Sequence, residues 1–246
     1  MKFDVIQFEE IDSTNTYLYN LAKSGAEEGT VVMASYQTLG RGRSGRFFCS
    51  PRGNLYMSIL IRPNRSVLDL HLITPMCAVC VYDAIKEVLN IDCKIKWVND
   101  LYHNDKKVCG ILTEVSLKED IAEYAVIGIG VNVFPVEFDK DLEQIAGSVI
   151  DKKHDSDYEN KSYIINSIRD SILKYFDLYY SDYDNKSFMD SYRKNSNIIG
   201  KKVYYETVSH TEYVDVMDIS DDGELIVKDI NGETKKYSDG EIRIKI

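Results

Sequence analysis

Positive charge in this sequence is concentrated where carboxylates are missing. Between Gly29 and Leu68 there is no Asp or Glu, yet Arg41, Arg43, Arg46, Arg52, Arg62 and Arg65 all fall there. At the centre runs Gly40-Arg41-Gly42-Arg43-Ser44-Gly45-Arg46. Alternating glycines let a backbone turn and approach a ligand closely, and guanidinium forks match the oxygens of phosphate or carboxylate. Such a loop repels itself when empty, so the expectation is a segment mobile without ligand and ordered with it. The plain alternative is a solvated arginine-rich loop. The missing carboxylates, in a chain with a formal charge of −10, favour an anion site.

Four more segments carry groups suited to the same chemistry. Asp12-Ser13-Thr14-Asn15 opens a helical pattern, where free amides and short polar side chains suit a small polar ligand. Lys96-Trp97-Val98-Asn99-Asp100 puts a cation, an amide and a carboxylate at a strand end. Lys106-Lys107-Val108-Cys109-Gly110 begins the next strand with paired lysines and a glycine. Gly128-Ile129-Gly130-Val131-Asn132 ends a strand in small residues, against which a planar group has room. Singly, each has an equally good structural explanation: a helix cap, a solvated hairpin end, or a Gly-x-Gly lacking the third glycine and helix of a dinucleotide fingerprint.

The elements that must position these groups follow from periodicity. Asp4 to Glu10 alternates and predicts a strand, then a helix capped at Asp12-Ser13 and stopped near Gly25. Strands are expected over Thr30 to Gln37, Asn54 to Arg62, Cys93 to Trp97, Lys107 to Ser116 and Glu123 to Val133. Helices are expected over Leu68 to Leu89 and Tyr163 to Tyr180, the second with Ile164, Ile168, Ile172, Phe176 and Tyr179 on one face. Asp151 to Asn160 reads as a surface loop. From Ile198 onward short alternating segments are separated by Asp222-Gly223, Asn231-Gly232 and Asp239-Gly240, a pattern of hairpin turns. The expectation is an α+β domain over 1–196, a mixed sheet flanked by helices, with a small β-barrel over 197–246.

Composition narrows the function. The 246 residues suffice for one sizeable core plus a small appended unit. A sequence pI near 5.0 argues against general nucleic-acid binding. No apolar run looks like a membrane span and the amino terminus lacks a signal-peptide pattern, so a cytoplasmic protein with no membrane partner is expected. Five cysteines, an odd count, read as reduced thiols. Cys77-x-x-Cys80 lies at helical spacing in an apolar stretch and reads as core.

Order and spacing together say more than any single segment. Ser13-Thr14-Asn15, then Gln37, then the Gly-Arg-Gly-Arg-x-Gly-Arg loop, Lys96-Trp97-x-Asn99-Asp100, Lys107 with Gly110, and Gly128-x-Gly130-x-Asn132 closely resemble the biotin–protein ligase family. Asn54-Leu55-Tyr56-Met57-Ser58 is similar to the strand that follows the loop there. The resemblance spans about Phe3 to Pro135 and continues loosely to Gly240-Glu241-Ile242-Arg243-Ile244. It implies a class II synthetase-like biotin/lipoate ligase catalytic domain with an Src-homology-3-like barrel behind it. Two departures stand out. Val98 replaces the family's usual proline, which loosens the expected turn while keeping the chemical groups. Nothing before Phe3 resembles the operator-binding winged helix of some relatives, so a repressor role is not expected.

The resemblance also implies roles. Ser13, Thr14, Asn15 and Gln37 would hold the ureido ring of biotin, with Gly40, Arg41, Gly42 and Gly110 around it. Lys107 would stand between the biotin carboxylate and the α-phosphate of ATP. Arg43 and Arg46 would bind phosphates, Arg43 retaining the adenylate. Asn99 and Asn132 would meet the nucleotide, and Asp100 would serve the Mg2+ or triphosphate side, or act as base in the transfer to a lysine of a biotin carboxyl carrier protein. The implied catalytic set is Lys107, Arg43 and Asp100. Lipoate–protein ligase is the rival within the reaction class; a non-catalytic regulator is the rival outside it. No residue pattern fixes the oligomeric state, and exposed strand edges suit a homodimer.

Overall fold

The computed structural model describes residues 1–206, 211–238 and 241–243. The expected Asp239-Gly240 turn, and Gly240 and Ile244 of the closing segment, lie outside the described residues.

The first unit of structure is a parallel pair. β1 (Asp4–Phe8) and β2 (Thr30–Ala34) are joined by the crossover helix α1 (Thr14–Lys23). β3 (Leu55–Ile61) and the short β4 (Arg65–Ser66) lead to α2 (Ile73–Leu89). Then follow β5 (Lys94–Lys96), β6 (Asp100–His103), β7 (Lys106–Lys118) and β8 (Ile121–Val131). These eight strands form one mixed sheet in the order β1-β2-β3-β8-β7-β6-β5, with β4 added on β8. After α3 (Lys140–Glu143), α4 (Lys161–Ser181) and α5 (Phe188–Lys194) come β9 (Lys202–Glu206), β10 (Thr211–Ile219), β11 (Leu225–Lys228), β12 (Thr234–Tyr237) and β13 (Glu241–Arg243). The last five make a separate antiparallel sheet, in keeping with the small barrel expected.

Strand alternation sorts the large sheet into two unlike faces. Leu55, Met57, Ile59 and Ile61 of β3, with Ala125, Ile127, Ile129 and Val131 of β8, face the main core with α2 and α4. On the other face Val32, Leu60, Tyr124 and Val126 meet Leu18 and Ala22 of α1. α1 covers only part of that face. The glycines of β7 and β8 lie where its cover ends, and there a cleft opens.

Most expected elements appear within a few residues of their predicted limits, and the differences have local causes. The strand predicted to reach Gln37 stops at Ala34, because Gln37 forms isolated bridges with Ile11 and Ser50 instead. The helix predicted from Leu68 begins as a single 3-10 turn, Val67–Leu70, before α2 starts two residues short of Pro75. The loop at Asp151 to Asn160 contains a 3-10 turn, Lys152–Asp157. The strand β6 and the short helices α3 and α5 were not anticipated. Ile168, Ile172 and Phe176 of α4 are fully buried, as its periodicity implied.

By length and apolarity alone Val67–Leu89 reaches the range of a membrane span, with mean hydropathy 1.4, which corrects the reading that no run does so. Its residues from Met76 to Val81 are all inaccessible, and it packs against α4 and α5 as the central core helix. Cys77 and Cys80 lie within it, and burial pushes both thiols far above their ordinary range. They are core thiols.

Candidate active site

The cleft is a cavity of about 360 Å³. Helix α1 supplies one wall. Its N-cap is Ser13, whose Oγ accepts from the Thr16 amide at 3.4 Å. Behind the cap, Gln37 Oε1 accepts from both the amide and the hydroxyl of Thr14, at 2.9 and 3.1 Å, while Gln37 Nε2 donates to Ser50 Oγ. Asn15 Oδ1 accepts from Ser58 Oγ at 2.6 Å, and its Nδ2 donates to Glu114. Ser13, Thr14, Asn15 and Gln37 thus line the cavity, buried and already held in place, the last three joined in one network through Ser58.

The floor is glycine. Gly110 and Gly130 are cross-strand partners on β7 and β8, and the ring of Phe48 lies over them. A Cβ on Gly130 would stand 2.5 Å from Phe48 Cε1, and one on Gly128 would collide with Asn15 Oδ1. The planar group expected against this backbone is therefore, in part, the chain's own phenylalanine.

The arginine loop is a small hairpin over this floor. Gly42 N–H donates to Arg46 O and Arg46 N–H to Arg43 O, with Ser44 and Gly45 at φ 55° and 73° forming the tip. Arg41, Gly42, Arg43 and Arg46 line the cavity, and Gly40 stands just before them at the foot of the hairpin. A side chain at Gly40 would collide with the carbonyl of Phe48, so this glycine lets the hairpin close on itself.

At the far end, Asp100 faces Gly110 across β6 and β7. Simple alternation from Cys109 and Ile111, which are core residues, would send Lys107 into the core as well. The register slips by one residue between Leu101 and Tyr102, so Lys107 pairs with Tyr102 and emerges into the cleft. Its Nζ lies 2.6 Å from Asp100 Oδ1. Arg43 Nη1 donates to Asn99 Oδ1 at 3.1 Å, and Asn99 Nδ2 donates to Ile111 O. Asn132 donates to Gly147 O, while its buried Oδ1 has no donor among the described residues. The peptide between Trp97 and Val98 is cis, the Trp97 indole donates to Gly223 O at 2.8 Å, and Tyr192 donates to Val98 O.

Among the described residues, Arg41, Arg43, Arg46, Lys96 and Lys107 line the cavity against the single carboxylate of Asp100. A site so biased, in an acidic chain, concentrates anions. The sequence reading missed Phe48, Ser58 and Glu114, and also Phe138, Leu142 and Ile145, which give the cavity an apolar side. Ser58 was detectable only as a polar residue inside an otherwise largely apolar strand, and Glu114, next to Thr113 in a strand of mixed character, carried no signal of its own.

A mixed sheet with a glycine floor, a buried polar end and a cationic end offers one cleft in which a small polar ligand and an anion fit side by side. Residues 7–132 match the model of the biotin/lipoate A/B protein ligase family. The bifunctional ligase/repressor BirA of Bacillus subtilis is 34% identical over 240 residues, covering 95% of this chain and 72% of that protein. The biotin–[acetyl-CoA-carboxylase] ligase of Mycobacterium tuberculosis is 29% identical over 245 residues, covering 94% and 85%. The solved biotin protein ligase from Aquifex aeolicus in complex with biotin and ATP superposes with TM-score 0.78 at 25% identity, covering 98% and 97%. The chain belongs to the biotin/lipoate A/B protein ligase family.

Proposed function

We propose that the chain is a biotin–protein ligase. It joins biotin to AMP at the expense of ATP, releases pyrophosphate, and passes the biotinyl group to a lysine of a biotin carboxyl carrier protein. The observation that carries this reading is the placement of a prearranged polar network and a cationic end in one cleft.

Ser13, Thr14, Asn15 and Gln37 recognise the ureido ring at the buried end, with Arg41, Gly42 and Gly110 around it. The carboxylate then points toward Lys107, which neutralises both it and the α-phosphate as they approach. Lys107 is paired with Asp100 until the ligands compete for it. Arg43 and Arg46 bind phosphate oxygens, and Asn99, already bonded to Arg43, fixes that guanidinium. The unpartnered Oδ1 of Asn132 suits the exocyclic amine of adenine. With the hairpin over the anhydride, water is kept from hydrolysing it. Asp100, once released, is the base positioned to take the proton of the incoming lysine.

No group of three His, Cys, Asp or Glu among the described residues is arranged to hold a metal. Mg2+ would arrive with the nucleotide, and Asp100, among the described residues the one carboxylate lining the cleft, would help to hold it against the phosphates. Residues 1–196 form the catalytic unit and 197–246 the small barrel. The free cysteines support a cytoplasmic site of action, and the open edge of β1 suits a homodimer.

Incubation with ATP, biotin and a biotin carboxyl carrier domain, followed by an avidin blot, tests the reading. Labelled carrier that is unaffected by excess lipoate is expected; no label, or label lost to lipoate, contradicts it.

A further inference from the structure

One carboxylate ties the ring-binding end of the cleft to the arginine hairpin. Glu114 lies on β7, two residues beyond Leu112, on the face that carries the site. Its two oxygens take Arg41 as a fork: Nη1 to Oε2 at 2.9 Å and Nη2 to Oε1 at 2.8 Å. The same Oε2 accepts from Asn15 Nδ2 at 3.0 Å. Asn15 is otherwise fixed by Ser58 Oγ at 2.6 Å and, more weakly, by Leu112 O at 3.4 Å, and Gly128 leaves no spare room beside it. Of these partners only Glu114 is charged, and only Glu114 also holds the loop.

We propose that Glu114 is a positioning residue: it latches the hairpin through Arg41 and orients the Asn15 amide, so that loop closure and recognition of the ureido ring are one event. This rests on the reading of the chain as a biotin–protein ligase. The chemistry requires a carboxylate. It accepts from both guanidinium nitrogens and from the asparagine amide at once, whereas a glutamine would turn an N–H2 group toward one of these donors. Arg41 is half exposed, and its pairing closes the foot of a hairpin whose next residues, Gly42 and Arg43, line the cavity.

The test uses the whole chain and the variants Glu114→Gln, Glu114→Asp and Arg41→Gln, with two readouts. The first is ATP–pyrophosphate exchange, titrating biotin at saturating ATP and ATP at saturating biotin. Glu114→Gln is expected to raise the KM for biotin about tenfold, leaving the KM for ATP and kcat within about twofold. The double variant Glu114→Gln with Arg41→Gln should be no worse than the weaker single, because both break one latch. Glu114→Asp should recover part of the loss. The second readout is tryptic cleavage at Arg43 and Arg46: faster in Glu114→Gln without any ligand, and no longer slowed by biotin.

Wild-type KM for biotin together with wild-type cleavage in Glu114→Gln would overturn the latch. So would parallel losses in kcat, in the KM for ATP and in melting temperature, which mark a merely structural role. Absence of biotin-dependent exchange in the wild type would instead overturn the proposed function. The ligand-free cleavage rate still decides the latch in that case.

Discussion

Lys107 owes its place to a single extra residue. The slip between β6 and β7 turns it out of the core plane of Cys109 and Ile111 and sets it against Asp100. If it neutralises two approaching anions, Lys107→Ala removes about 2–4 kcal/mol of transition-state stabilisation, a loss of about 30- to 900-fold in rate. ATP–pyrophosphate exchange should fall by that factor while ATP affinity changes far less; near-normal exchange contradicts the role. Arg43→Gly breaks the bond to Asn99 and removes the cation proposed to bind the phosphates. Adenylate should then leak into solution, detected by chromatography of the filtrate, whereas full retention counts against the assignment. At this scale the types were legible and the partners were not. The residues Ser13, Asn99, Lys107 and Asn132 announced themselves by motif. Phe48 and Glu114 gained meaning only when β7, β8 and the hairpin were brought together, because their partners lie far off in sequence.

The elements hold these groups by register and close approach. Gly130 exists for Phe48: a methyl group there would meet the ring at 2.5 Å. Gly130→Ala should displace Phe48, cost about 1–3 kcal/mol in urea unfolding, and raise the KM for biotin more than that for ATP. Unchanged stability and biotin KM would mean that the ring moves freely. The turn between β5 and β6 is supported from behind by the small sheet, through the Trp97 indole on the carbonyl of Gly223. Trp97→Phe should leave that buried carbonyl unpaired, costing about 1–3 kcal/mol in the same assay. Alternation and turn signals exposed most strands and both long helices. They hid β6, a four-residue strand whose residues Asp100-Leu101-Tyr102-His103 carry no distinct pattern, and they hid the bulge altogether, since a slip is a property of two strands and not of one.

In the whole molecule, one continuous core runs from α2 and α4 into Val203, Val214, Val216 and Leu225 of the second sheet. That core encloses Cys77, Cys80, Cys93 and Cys109, while Cys49 is half-buried in the wall of the cleft. Burial, and the charge of Asp139 nearby, push the Cys49 thiol upward, so it reacts slowly near neutral pH. A thiol reagent should therefore modify one cysteine slowly in the native protein and all five after unfolding. Biotin with ATP should protect that one; rapid reaction of several thiols in the native state contradicts the packing. Charge is organised at the same scale: a protein of net charge −10 gathers Arg41, Arg43, Arg46, Lys96 and Lys107 around one cavity.

The most direct measurement of that arrangement is a crystal structure of this chain with biotin and a non-hydrolysable ATP analogue. Lys107 Nζ is predicted within hydrogen-bond reach of both the biotin carboxylate and the α-phosphate, with Arg43 on the phosphates and the ureido ring beside Ser13. Ligands bound elsewhere, with Lys107 and Arg43 turned to solvent, would contradict the account.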